Sequence, residues 1–352
     1  MSFGSSKEKI PVQPREDPSV EEESSSSLSS LSPSPSSDST EDTDGGEDFT
    51  DEEVYVLDAT SPHGEMVTAT SQQLQSMLSN DLSPEEKDEF LEMFKDFPNL
   101  FAASYHDLRH VTAIEHQIDL KPDAKPVVPK RYRRLGPVQI DALRLEITKL
   151  VDVGFIVPVH NTEWVSPVVV TPKKNGKWRI CIDYKKLNAA TKRDYHPLPF
   201  QDIILEKVSG HEMYTFCDGY SGFYQIRIAE EDIIKTTFTT PWGTFAFKVM
   251  PFGLTNAPAT FQRFMQMVFA PYLGVFIEVF LDDFCIYSTR QEHLTKVRMA
   301  FHRIDEAKGS LNPGKCTIGA THGRLLGHIV SVDGTPWSWK SRRNSQATSS
   351  LH

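Results

Sequence analysis

Long hydrophobic runs are missing from this 352-residue sequence, and cysteine is scarce. With no stretch of about 18 apolar residues, no segment is expected to span a membrane. The N-terminus lacks the apolar core of a signal peptide, so secretion is not expected either. The four cysteines, Cys181, Cys217, Cys285 and Cys316, form no CxxC pair, and each lies in or beside an apolar segment. That pattern argues against a disulfide framework or a zinc ribbon and predicts buried free thiols in a reducing compartment. Apolar residues make up only 39% of the chain, low for a fully globular protein.

That deficit is local. Serine takes 11 of the 17 positions from 24 to 40, and residues 1–60 carry 16 acidic against 3 basic side chains. Such a stretch buries too little apolar surface to offset its ordering entropy, so residues 1–80 are expected to be a disordered Ser/acidic region. From residue 121 onward 31 basic side chains face 21 acidic ones. The part able to fold is therefore basic, which favours a polyanionic partner. Lys130-Arg131-Tyr132-Arg133-Arg134 is a basic cluster suited to phosphates or to import receptors. Residues 81–137 read as an N-terminal extension and linker.

Periodicity then outlines a folded domain over 138–334. Ser83-Pro84-Glu85-Glu86 signals a helix start, and helices are expected over 138–153, 258–269 and 293–308. Strands are expected over 165–171 and 178–183, joined through an Asn175-Gly176 turn, and over 213–216, 224–228, 275–281, 284–288 and 325–330. Antiparallel strands and helices interleave without a regular βαβ rhythm, which predicts an α+β fold. Residues 335–352 are expected to be an unstructured tail.

Two adjacent carboxylates, Asp282 and Asp283, interrupt the β-prone run Val279–Tyr287. Flanking strand formers place the pair in the tight turn of a hairpin. Side by side, two like charges repel unless one is protonated or a cation is shared, and hard carboxylate oxygens suit Mg²⁺. A third carboxylate, Asp218, ends an apolar strand 64 residues earlier. Three carboxylates brought together make a cage for two divalent ions about 3.5–4 Å apart.

Phe280-Leu281-Asp282-Asp283 resembles the aromatic-x-Asp-Asp box of reverse transcriptases. The run from Phe216 to Ile226 resembles the motif that carries their first metal-binding Asp, and the run from Met250 to Gln262 resembles the loop and helix between them. The wording is closest to gypsy-type LTR retrotransposon polyproteins, over roughly residues 85–335. The resemblance implies right-hand polymerase fingers and palm with an antiparallel palm sheet. It implies an RNA-directed DNA polymerase using two Mg²⁺ or Mn²⁺ ions held by Asp218, Asp282 and Asp283. Lys173 and Arg179 match residues that contact the incoming triphosphate. Phe223 matches the bulky residue that excludes the ribose 2′-hydroxyl. Gly219, Phe252 and Gly253 fall at nucleotide-contacting positions. The implied partners are an RNA or DNA template with primer and deoxynucleoside triphosphates, and the implied location is a cytoplasmic particle, with the nucleus as an alternative. Leu326-Gly327-His328-Ile329-Val330 resembles the strand near the primer terminus.

The resemblance fades after about Gly334, ahead of the thumb, connection and RNase H domain usual in the family. The abrupt change suggests a frameshifted or truncated reading frame. Three other readings compete: a catalytically silent remnant that only binds nucleic acid, a viral RNA-dependent RNA polymerase, and a scaffold acting through its acidic tail. Phe223, and Phe-Leu rather than Gly before the Asp pair, argue against the second.

Overall fold

The computed structural model describes residues 69–334 except 127, 129–133 and 173–177, all within Val54–His352, the second of two units into which the chain divides. In chain order the helices are α1 Ser71–Ser76, α2 Pro84–Phe94, α3 Pro137–Asp152, α4 Lys185–Ala190, α5 Gln201–Val208, α6 Ala257–Phe269 and α7 His293–Glu306. The strands are β1 Glu115–His116, β2 Ile156–Pro158, β3 Ser166–Pro172, β4 Trp178–Ile182, β5 Met213–Asp218, β6 Arg227–Ile228, β7 Phe238–Thr240 and β8 Gly243–Phe247. They continue with β9 Ile277–Phe280, β10 Asp283–Ser288, β11 Thr317–Ala320, β12 His322–Leu325 and β13 His328–Ser331.

The expected α+β architecture is what forms. An antiparallel four-stranded sheet, in the order β11-β5-β10-β9, makes the palm. A five-stranded sheet, β2-β8-β7-β3-β4, makes the fingers and contains one parallel pair, β3 with β7. The palm sheet is covered on both faces, so its strands are apolar on both sides rather than alternating. Cys217, Phe284 and Ile286 pack with Phe261, Phe264 and Met265 of α6 and with Val297 and Phe301 of α7. On the other face Tyr214, Cys285 and Tyr287 pack with α5 and with the β12–β13 hairpin.

Local rules account for some boundaries. Ser83 Oγ accepts from Glu86 N at 3.2 Å while the Glu86 carboxylate accepts from Ser83 N at 2.7 Å, a closed capping box that starts α2. Pro258 sits in the first turn of α6, where its missing N–H costs nothing.

Several expectations need correction. Residues 69–80, assigned to the disordered segment, are folded: α1 leads into Met77 and Leu78, which are buried in the palm core. Two apolar side chains in a polar stretch suffice there because the palm supplies the rest of the core. Residues 224–228 are not one strand; a 3₁₀ turn over Gly222–Gln225 precedes the short β6. Residues 325–330 are not one strand either, because Leu326 (φ +51°) and Gly327 (φ +79°) turn the chain between β12 and β13. Three of the cysteines are buried free thiols, but Cys181 is exposed, since β4 is an edge strand of the fingers sheet. Residues 1–68, most of the basic cluster at 130–134 and the tail 335–352 lie outside the described residues. Among the described residues no helix is long and apolar enough to cross a membrane.

Candidate active site

β5 and β10 bring two carboxylates together by register. Cα pairing sets Asp283 directly opposite Asp218 at the end of the palm sheet. Side chains alternate along a strand, so Asp218 shares a face with Phe216 and Tyr214, and Asp283 shares a face with Cys285 and Tyr287. Both pairs face α5 and the β12–β13 hairpin. The two carboxylates therefore emerge on one side of the sheet, at its rim.

Asp282 is placed by the turn. Asp283 is already the first residue of β10 and pairs with Phe280, so the hairpin loop is only Leu281 and Asp282, not the Asp pair. Leu281 has φ +55°, while Asp282 does not have a positive φ. A residue other than glycine, Asn or Asp in this region is rare and costs about 1–3 kcal/mol. The strain is held by α6: buried Gln262 accepts from Leu281 N at 2.7 Å and donates to Val279 O at 3.4 Å. On the other side Gly219 N donates to Asp282 O at 3.2 Å. A Cβ on Gly222 would come within 2.8 Å of Phe261 and 3.4 Å of Asp282 Cβ, so only glycine lets the 3₁₀ turn approach this closely.

Electrostatics mark the spot. Asp218 is 9% exposed. Burial, reinforced by the charges of Asp282 and Asp283, pushes its carboxyl up to about 7 against the opposing pull of Lys315. Burial likewise raises the Asp282 carboxyl. Lys315 Nζ lies 3.1 Å from Asp218 Oδ2. Among the described residues no three His, Cys, Asp or Glu side chains are arranged to hold a metal ion jointly. In this arrangement the Lys315 ammonium takes one of Asp218's oxygens. The donor set still fits a divalent cation, being hard oxygens on adjoining backbone positions at a place where the structure already sets a positive charge.

The residues expected to face a nucleotide divide into two groups. Phe223 is half-buried and packs against Phe252 (ring centroids 4.9 Å) and Phe261 (5.6 Å). Gly253 has φ +94°, and a Cβ there would meet Ile182 O and Tyr184 at 3.6 Å, so its turn sits at the end of β4. Arg179 is on that same strand, opposite Thr171. Lys173 lies outside the described residues.

Residues 171–330 match the sequence profile described as reverse transcriptase (RNA-dependent DNA polymerase). This segment belongs to the reverse transcriptase family. Relatives of the chain include polyproteins of transposable elements. The chain is 35% identical over 259 residues to the retrovirus-related Pol polyprotein from transposon 297 of Drosophila melanogaster, covering 72% of this chain and 24% of that protein. It is 28% identical over 268 residues to the transposon Tf2-3 polyprotein of Schizosaccharomyces pombe, covering 73% and 20%. It thus spans about a quarter or less of these relatives' length. The fold is that of the foamy viral protease-reverse transcriptase in complex with RNA/DNA hybrid, with TM-score 0.70 at 20% identity over 78% of this chain and 37% of that one.

Sequence reasoning assigned no role to Gln262 or Lys315. Gln262 had a signal: a polar residue on the stripe shared with Met265 and Phe269 of an otherwise apolar helix face. Lys315 had none, since its partner lies 97 residues away.

Proposed function

We propose that this chain is the fingers and palm of an RNA-directed DNA polymerase from a gypsy-type LTR retrotransposon Pol polyprotein. It adds deoxynucleotides to a primer 3′-hydroxyl on an RNA or DNA template and releases pyrophosphate. The observation that carries this reading is the pairing of Asp218 with Asp283 across β5 and β10, with Asp282 in the adjoining turn, inside a domain of the reverse transcriptase family. Asp218, Asp282 and Asp283 would hold two Mg²⁺ or Mn²⁺ ions, which when bound activate the hydroxyl and neutralise the leaving oxygen.

The chain's own groups supply the rest. Lys315 screens Asp218 from its acidic neighbours. Gln262 and Gly219 hold the Asp282 turn in its strained conformation. Phe223, backed by Phe252 and Phe261, presents a wall that clashes with a ribose 2′-hydroxyl. Arg179 and Lys173 offer charge-assisted hydrogen bonds to the triphosphate. The Gly253 turn lets backbone approach the nucleotide. The RNA/DNA hybrid bound by the foamy viral protein of like fold supports a template–primer duplex as partner, and a cytoplasmic particle is the proposed location.

Primer extension on an RNA template tests the reading. Wild type is expected to incorporate deoxynucleotides with Mg²⁺ or Mn²⁺, and Asp282→Asn/Asp283→Asn to fall by about 10³-fold or more. No incorporation by wild type above the double variant in either metal leaves the silent-remnant reading instead. Truncating Phe223 to alanine is expected to raise ribonucleotide use relative to deoxynucleotide by about 10- to 100-fold. Unchanged discrimination removes the gate from Phe223.

A further inference from the structure

Two asparagines lace the α4 segment to the turn that carries Phe252 and Gly253. Asn188, in α4, donates from Nδ2 to Gly253 O at 2.8 Å and accepts at Oδ1 from Thr255 N at 2.9 Å. Asn256 reciprocates: its Nδ2 donates to Lys192 O at 2.8 Å and its Oδ1 accepts from Asp194 N at 3.1 Å. Each amide spans two backbone groups of the other segment, and each atom's role is fixed by its partner, since a carbonyl needs a donor and an N–H needs an acceptor.

Asn256 stands at the start of α6, where an asparagine side chain normally caps its own helix. Here it makes no such cap, although its backbone is in the N-cap position. It is 8% exposed and turns instead to residues 192–194. The Asp194 carboxylate, held 2.7 Å from the Arg263 guanidinium about two turns further along α6, braces the same joint. Four side-chain amide hydrogen bonds and an ion pair cross this joint, two of the hydrogen bonds landing on a turn that contains a positive-φ glycine.

We propose that Asn188 and Asn256 are positioning residues that fasten the Phe252–Gly253 turn to the fingers segment following β4, so that the wall formed by Phe223 and Phe252 keeps its place relative to the strand bearing Arg179. β4 leads within two residues into α4. The lacing therefore makes the triphosphate-side strand and the sugar-side turn one rigid unit. This rests on the polymerase reading above. It adds that nucleotide affinity is set by a side-chain amide that itself touches no nucleotide.

Steady-state primer extension and amide hydrogen exchange on the full chain test it together. In Asn188→Ala the KM for deoxynucleotide is expected to rise about 10-fold with kcat within about 2-fold, because loss of placement weakens binding before it alters chemistry. Asn256→Ala is expected to act in the same direction, and Asn188→Ser serves if the alanine variant does not fold. The Thr255 amide is expected to exchange about 10-fold faster in Asn188→Ala while palm-sheet amides such as that of Phe284 keep their wild-type rates. A folded variant with unchanged KM overturns the positioning role, as does a uniform loss of protection across the palm. If wild type itself incorporates nothing, the polymerase reading fails first and this role goes with it; active wild type with unaltered KM in the variants defeats this inference alone.

Discussion

Asp218→Asn is expected to abolish incorporation and, at neutral pH without divalent metal, to make the protein more stable. The two effects have one cause. Asp218 is 9% exposed, sits opposite Asp283 and next to the Asp282 turn, and has Lys315 as its near counter-charge. An ionised carboxylate there carries a desolvation cost and like-charge repulsion, and one ammonium offsets them only partly. Its pKa of about 7 in the fold lies well above the ordinary value of 3.8. A raised carboxyl pKa means that folding is favoured most when the group is protonated, below the unfolded value, and that this stability is lost as pH rises through about 7. Asparagine removes the charge at every pH. Leaving Lys315 without its carboxylate takes back part of the gain, so a net increase on the order of 1–2 kcal/mol is expected. Urea unfolding at pH 7.5 in chelator measures it. The same variant should lose the stabilisation that Mn²⁺ gives wild type. A less stable Asp218→Asn protein in chelator would show that Lys315 fully compensates the buried charge and that the acidic rim stores no strain for a cation to relieve.

Acidifying that variant from pH 7 to 4.5 is expected to remove about 3–5 kcal/mol of stability, through two buried histidines. His116 bonds Thr260 Oγ1 through Nδ1 at 2.8 Å, and burial lowers its pKa to about 4. His293 is bonded at Nε2 to Thr215 Oγ1 (2.8 Å) and at Nδ1 to Ser288 Oγ (2.7 Å), and burial lowers it to about 4 as well. The unfolded chain takes up these protons near 6.5 but the folded one only near 4. Stability held above 6.5 is therefore lost across that window, by at most about 1.4 kcal/mol per pH unit per histidine. In wild type Asp218 works the other way over the same range, gaining as it protonates, and Asp282 adds to that. The wild-type profile should be flatter than that of Asp218→Asn. Parallel profiles for the two proteins would mean that the fold does not raise the Asp218 carboxyl, and a variant profile that stays level from pH 7 to 4.5 would mean that these histidines are not held neutral by the fold.

Much of the architecture was legible locally. The capping box at Ser83, the apolar stripe of α6 and the two strands around the Asp pair are set by neighbours a few residues away. The departures have two causes, one local and one not. Leucine gives no warning of a left-handed turn, yet Leu326 and Leu281 both adopt one inside stretches with strand patterning. Residues 69–80 looked disordered because the core that buries Met77 and Leu78 comes from elsewhere in the chain.

By itself the sequence determined where strands end in carboxylates and which family the central segment resembles, because alternation, turn chemistry and motif wording are properties of contiguous residues. Only the tertiary structure decided that Asp283 stands across from Asp218, that Lys315 meets Asp218, and that Asn188 and Asn256 grip each other's loops. Strand register and side-chain pairing join residues more than 60 positions apart, and their energies depend on burial that no short window of sequence contains.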